Sequence, residues 1–222
     1  MGAKLIVSYD GTSNDDDALA LGRLLAATGA SLSLAYVRHS REFDPEREQL
    51  AQHDAERRLE QGAQWLGDEQ TPRHVVFSAS TGEGLEQLAR AEGAATIVFG
   101  SDYRTPPGRA EPGNTAQHLL DGGPVAIAVA AAGLRTRADG PIASIGLLSA
   151  EDDAAQQTAA SLAARLSAKL APIGAGDVGL LVVGSQAAAP AGRVALSGAT
   201  RSLLNGARGS VLVVPHGKPV LF

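Results

Sequence analysis

Short apolar runs alternate with stretches of helical periodicity along the first 130 residues. Leu5-Ile6-Val7 is continuous rather than alternating, the pattern of a strand buried on both faces. Asp10-Gly11-Thr12-Ser13 turns the chain, and Ala18, Leu19, Leu21, Leu24 and Leu25 follow at helical spacing until Gly29. Leu32 to Val37 reads as a second strand. The next helix has a clear start: Asp44 caps it, Pro45 suits its first position, and Glu46 and Glu48 put negative charge where the helix dipole favours it. Leu50, Ala51, Ala55, Leu59, Ala63 and Leu66 mark its buried stripe. Val75-Val76-Phe77 is a third strand, Leu85, Leu88 and Ala89 mark a third helix closed near Gly93, and Thr96 to Phe99 is a fourth strand ending at Gly100-Ser101. A Gly/Pro-rich loop, a short helix over about Asn114 to Leu120 and a strand over Val125 to Ala130 complete the series. This order predicts an α/β fold, a parallel five-stranded sheet flanked by helices on both faces.

Residues 134–140 read as a linker, so the chain divides into 1–133 and 141–222. The second part restarts in shortened form. Ile145 to Leu148 is a strand, Ala154 to Leu170 a helix, Leu180 to Val183 a strand before Gly184-Ser185, Ala199 to Leu204 a helix and Val211 to Val214 a strand. Ile97 to Ser101 parallels Leu181 to Ser185, and 113–130 parallels 198–215 with a slip of one residue. Two strands and their helices are missing from this copy, and a three-strand remnant buries too little core to stand alone. It is expected to pack on the first part, on a second chain, or on both. Val125 to Ala130 would be an aggregation-prone edge if unpaired; pairing with Val211 to Val214 removes the edge, within one chain as a pseudo-dimer or between chains as a homodimer.

Composition narrows the chemistry. Of 222 residues 44% are hydrophobic and 19% charged, enough to bury a core. The net charge of −5 and the lack of a basic run speak against nucleic acid as a partner. Without cysteine there are no disulfides, thiolate metal sites or cysteine nucleophiles. The apolar run after Lys4 is too short for a signal peptide, and no stretch approaches the roughly 20 residues of a membrane helix. A cytoplasmic protein is the expectation.

These residues resemble the universal stress protein family. Ile6 to Thr12 with Ala18-Leu19 is similar to that family's opening Asp-Gly-Ser…Ala-Leu pattern, Gly82 to Ser101 to its third helix and Gly-Ser strand, and Gly113 to Leu120 to its Gly-Ser-Thr-Ala…Leu-Leu helix start. The resemblance runs through residues 4–130 and more thinly over 143–217. It implies the adenine nucleotide alpha hydrolase-like fold and a stress-response or regulatory role. The family's ATP-binding members carry Gly-x2-Gly-x9-Gly-Ser/Thr after the fourth strand. Here Gly100 and Gly113 hold the outer positions, Tyr103 replaces the middle glycine, and Asn114 replaces the Ser/Thr with Thr115 next. A tyrosine removes the close backbone approach that glycine allows, and its ring either stacks on a base or ribose or blocks the pocket. By resemblance, Asp10 and the backbone near Val37 hold the adenine and ribose end, so the implied ligand is ATP or another adenine nucleotide, with Mg²⁺. In the second copy Ala187 fills the middle position and Ser149 or Ala150 stands where Asp10 would, so no nucleotide is expected there.

Physical reasoning reaches the same region on its own, because ligands of open α/β sheets bind beyond the carboxyl ends of the strands. Strand-end position points to Asp10, Val37 and Gly100, the helix start near Asn114 and the loop arginines; together with what the resemblance implies, the candidate binding residues are Tyr9, Asp10, Gly11, Thr12, Val37, Gly100, Ser101, Tyr103, Arg104, Arg109, Gly113, Asn114 and Thr115, the two arginines offering charge-assisted contacts to phosphate. The plainer reading is that the glycines only make turns and Asp10 only caps a helix. Asp15, Asp16 and Asp17 read as dipole partners in a first helical turn. Asp10, Asp16 and Asp17 also fall at the spacing of three calcium-binding acids of nucleoside hydrolases, but Thr12 stands where another Asp is required. His39, His53, His74, His118 and His216 lack metal spacing, and no metal ligand set is assigned. Gly174 to Gly179 matches a dinucleotide fingerprint by letter, yet it precedes a strand instead of opening a helix, so it is a loop. No general base besides Asp10 is in view and no catalytic residue is assigned. The alternative to a nucleotide-binding regulator is a scaffold acting through dimerisation and protein partners.

Overall fold

The computed structural model describes residues 2–136, 141–148, 152–175, 177–204 and 207–222. The linker expected at 134–140 and the Ser149/Ala150 counterpart of Asp10 therefore fall wholly or partly outside the described residues. The elements run β1 (Lys4–Ser8), α1 (Ser13–Ala26), β2 (Ser31–Arg38), α2 (Pro45–Leu66), β3 (Arg73–Phe77), α3 (Thr81–Glu92), β4 (Thr96–Phe99), α4 (Asn114–Leu120) and β5 (Ala126–Val129). A 3-10 turn at Leu134–Thr136 precedes β6 (Ser144–Leu147), α5 (Asp153–Leu166), β7 (Lys169–Leu170), β8 (Asp177–Gly184), α6 (Gly198–Leu204) and β9 (Arg208–Val214). Among the described residues the strands form one sheet, ordered β3-β2-β1-β4-β5-β9-β8-β6-β7. The first five are parallel, as expected, and among the described residues no helix is long and apolar enough to cross a membrane.

Period-two burial explains the layers. Leu5, Val7 and Val98 face a core capped by α1, α2 and α5, while Ile6, Ile97 and Val129 face a core under α3, α4 and α6. The predicted cap of α2 is present: Asp44 accepts hydrogen bonds from the backbone N–H groups of Glu46 and Arg47 at 2.9 and 3.0 Å. Gly67 closes that helix at φ 76°, a left-handed position that glycine fills without steric cost.

The edge of β5 is covered within the chain. It pairs antiparallel with β9, Ile127 opposite Val213, Ala128 opposite Leu212 and Val129 opposite Val211. The loops behind the two strands repeat each other at a constant offset of 84 residues. Ser101 donates its hydroxyl proton to Ala130 O at 2.6 Å and accepts from Glu111 N–H at 3.1 Å. Ser185 donates to Val214 O at 2.7 Å and accepts from Ala195 N–H at 3.2 Å. Gly108 N–H donates to Ala132 O, and Gly192 N–H donates to His216 O. At the same offset Ala128 falls on Leu212, so the residue at the middle of the pairing lies opposite its own counterpart.

Two expectations need correction. The helix read as Ala154 to Leu170 ends at Leu166, where Ser167 takes φ 53°, and Lys169–Leu170 runs on as a short parallel strand beside β6. A serine in the left-handed region gives no glycine signal, and an Ala/Leu-rich stretch carries helical spacing past its true end. The second part therefore contributes four strands rather than three. The one-residue slip between the repeats is also absent: Pro106-Pro107-Gly108-Arg109 matches Pro190-Ala191-Gly192-Arg193, and Ser197, not Gly198, occupies the place of Gly113.

Candidate functional site

The carboxyl ends of β1 and β4 lie side by side, and the turn after β1 is tied down from several directions. Tyr9 is buried, its backbone N–H bonded to Ala35 O at 2.9 Å and its hydroxyl 3.4 Å from Asp16 Oδ1. Burial, then the charges of Asp16 and Asp15, push its pKa up to about 12. Asp10 stands exposed. Its N–H donates to Asp15 Oδ2 at 2.6 Å, its Oδ1 accepts from Thr12 N–H at 2.9 Å, and its carbonyl accepts from Arg58 Nη1 at 2.7 Å. Gly11, at φ 89°, lets the chain turn here.

Asp10 and Asp15 titrate as a pair. Burial, followed by the hydrogen bond and the negative charge of Asp10, raises the Asp15 carboxyl to about 8. Burial also works to raise Asp10, but hydrogen bonds from Asp15 and Thr12 outweigh it and hold Asp10 below its ordinary value. Near neutral pH the two carboxyls hold one proton, which sits on Asp15. Asp17 has a different task. It is 2% exposed and accepts from Gly133 N–H, Arg135 N–H and Arg135 Nη1, each at 2.8 Å, fastening the chain after β5 to α1. These bonds commit Asp17 to structure. Among the described residues no three His, Asp or Glu side chains are grouped to hold a metal ion.

The remaining sequence-derived residues divide. Gly100 meets the first turn of α1: a Cβ there would overlap the Asn14 carbonyl oxygen. Gly100 thus joins the Asp10 turn. Val37, at the end of β2, is buried against Gly84 of α3 and Ser78. Ser101 clamps the loop after β4 to β5, as described above. Tyr103 is 72% exposed, with the Arg104 guanidinium 4.9 Å from its ring centre, so its ring fills no pocket. Arg109 lies away from the Asp10 turn, opposite Arg208 in an isolated bridge, and Gly209 N–H donates to Gly108 O at 2.8 Å. Gly113 is the N-cap of α4 without a side-chain cap. Gly113 and Asn114 line a cavity of about 370 Å³ between α4 and α6, floored by Val129 and Val213, and Thr115 follows on α4. The structure thus gathers Tyr9, Asp10, Gly11, Thr12 and Gly100, sets Val37 nearby, and sends Arg109 towards β9. Sequence reading missed Arg58 and the proton-holding role of Asp15. An arginine in the middle of a helix carries no motif, and its contact with a turn 48 residues earlier is visible only in three dimensions.

Comparison with known proteins agrees with this architecture. The model of the Universal stress protein family matches residues 1–130. A universal stress protein from Archaeoglobus fulgidus DSM 4304 is similar over 96% of this chain and 98% of its own, at 12% identity and a TM-score of 0.69. A putative universal stress protein from Pseudomonas aeruginosa UCBPP-PA14 is similar over 96% and 92%, at 14% identity and a TM-score of 0.60. At such identities the two structures speak for the fold alone. No curated protein matches the sequence. With more than half of its length matched by the family model, the chain belongs to the universal stress protein family.

Proposed function

We propose that this protein is a cytoplasmic stress-response or regulatory protein that binds an adenine nucleotide, ATP included, at the carboxyl ends of β1 and β4, with little or no turnover. One observation carries the reading: the Asp10 backbone is fixed by Asp15 and Arg58, Thr12 N–H orients its carboxylate through Oδ1, and the residue stays exposed at a strand end. A carboxylate held this way suits the donor edge of a base or a ribose hydroxyl. Mg²⁺ would arrive with the nucleotide phosphates, since no group of three ligating side chains stands ready for it among the described residues. Tyr103, standing in solvent beside Arg104, is free to stack on the ligand.

In the same reading residues 1–133 form one universal stress protein-like domain and 141–222 a shortened copy. The 84-residue repeat of loop hydrogen bonds supports it. The β5–β9 pairing supports an intrachain pseudo-dimer over a homodimer through the same strands. A scaffold that binds no nucleotide is favoured by one observation, that Thr12 N–H already occupies an oxygen of the Asp10 carboxylate.

Extraction of the purified protein followed by mass spectrometry, then calorimetric titration of the ligand-free form with ATP, decides between them. Nucleotide binding predicts a micromolar Kd, about −8 kcal/mol, abolished by Asp10→Ala. A clean extract and no heat at millimolar ATP would leave the scaffold reading.

A further inference from the structure

Three consecutive acids open α1, and each has a different partner. Asp15 accepts from the Asp10 backbone N–H at 2.6 Å, Asp16 Oδ1 lies 3.4 Å from the Tyr9 hydroxyl, and Asp17 accepts from Arg135 Nη1 at 2.8 Å. Gly100, at the end of β4, is pressed against the same turn at the Asn14 carbonyl. The start of a helix is positive and ordinarily welcomes anions. Here the helix's own acids line it, so a phosphate arriving at the carboxyl ends of β1 and β4 meets negative charge.

Two guanidiniums answer that charge. Arg58, on α2, is held by the Asp10 carbonyl. Arg135 arrives from the segment that leaves β5, and its place is set by backbone: the N–H groups of Gly133 and Arg135 both donate to Asp17 at 2.8 Å. The Asp17 side chain is 2% exposed and that of Arg135 29%, so the guanidinium is the member of the pair that still reaches solvent. Burial raises the Asp16 carboxyl, and the Arg135 charge draws it back down. Asp16 thus stands between Arg135 and Tyr9, the residue before Asp10. The second half builds nothing similar. Counted from the helix caps Thr12 and Asp152, the places of Asp15, Asp16 and Asp17 are taken by Ala155, Gln156 and Gln157. The chain after β9 is held further along its helix, at Thr158, Ser161 and Arg165. The acids and their arginine occur together, on the half that has the exposed Asp10.

We propose that Arg135 is part of the first site, where it neutralises the acidic turn of α1 and so admits an anionic ligand beside Asp10. This role rests on the nucleotide reading above and adds a condition to it: the site is complete only while the segment after β5 is fastened to Asp17. Arg135 acts through its charge rather than by touching the base or ribose, so its effect grows with the charge of the ligand.

The test is calorimetric titration of the full chain with ATP and with adenosine, which share base and ribose and differ in charge. Arg135→Gln should weaken ATP binding about tenfold and adenosine binding less than about twofold. Arg135→Lys restores the charge and should recover most of the ATP affinity. In the parent protein ATP should shift the Arg135 Nε–Hε NMR signal more than adenosine does, a readout that needs no variant to fold. Equal weakening of both ligands by Arg135→Gln would make Arg135 a structural support and overturn the proposal. An Arg135 signal that stays in place when ATP binds the parent overturns it too. If ATP binds the parent and Arg135→Gln alike, this role falls and the nucleotide reading stands. If neither ligand binds the parent at millimolar concentration, both fall.

Discussion

The two halves fasten the chain that follows their last strand in different ways. After β5 the segment is held to α1 by an ion pair: Asp17, buried, takes Arg135 and two backbone N–H groups. After β9 the segment is held to α5 by two hydroxyls and by Arg165, whose Nε donates to Phe222 O at 3.1 Å. Thr158 Oγ1 accepts from Val220 N–H at 2.9 Å, and Ser161 exchanges bonds with Phe222 at 3.0 and 3.2 Å. The architecture is shared, but one half leans on a buried carboxylate and the other on hydroxyls and an exposed arginine. A buried charge loses far more when its partner goes, because the orphan keeps its desolvation cost. Asp17→Ala should therefore cost about 3–5 kcal/mol in urea unfolding, and Thr158→Ala about 1–2 kcal/mol. Equal losses would mean that the Asp17–Arg135 pair is not desolvated as the structure has it.

The next comparison concerns the glycines at the ends of β4 and β8. A side chain on Gly100 would strike the backbone of α1, whereas one on Gly184 would strike the side chain of Asp152. Backbone cannot step aside, and a side chain can. Gly100→Ala should destabilise by about 1–3 kcal/mol and resist rescue by any substitution at Asn14. Gly184→Ala should be rescued by Asp152→Gly, which removes the Cβ that would lie 2.5 Å from the added methyl and is still tolerated as a helix cap, but not by Asp152→Ser, which keeps it. Thermal unfolding of these proteins reads both, and rescue at Gly100 by a change at Asn14 would contradict the backbone contact.

If the second half is a shortened copy, its serine clamp should be worth what the first is worth. Ser101→Ala and Ser185→Ala each remove a buried hydroxyl with one donated and one accepted bond. Each should cost about 1–2 kcal/mol, with the two values within about 0.5 kcal/mol of each other. A clear inequality would weaken the case for duplication.

The first half was legible because its strands are continuous apolar runs separated by strong stop signals, such as Gly29, Gly93 and the Asp44-Pro45 start. The second half hid its short strand. Lys169 and Leu170 are exposed and follow an Ala/Leu-rich helix, so neither periodicity nor burial marks the change. Aligning apolar strands found the 84-residue offset at Ile97 to Ser101 but lost it by one residue after the loop, because the anchor there, Pro-x-Gly-Arg, lies outside any strand. At the candidate site, Asp10 and Gly100 were legible from strand-end position. Arg58 was not, because an arginine within a helix carries no motif until the fold brings it to the Asp10 carbonyl.

The smallest expected effect lies in the Asp10–Asp15 pair, which the second half lacks. Burial and the neighbouring Asp10 raise the folded Asp15 carboxyl to about 8, whereas in the unfolded chain it returns to the ordinary carboxylate range, about 4. Between those values the folded state binds a proton that the unfolded state has lost, so stability falls as pH rises from about 4 to about 8. The depressed pKa of Asp10 works the other way, adding stability above its unfolded value that is lost as pH falls through its folded one. Asp15→Asn keeps the bond to Asp10 N–H and removes the titrating group. Its unfolding free energy should therefore be flatter than the parent's between pH 5 and pH 8, by a fraction of the roughly 1.4 kcal/mol per pH unit that one whole proton would give. Matching slopes for the parent and Asp15→Asn would mean that the proton is not held at Asp15, and the first site would then present two charged carboxylates to any ligand.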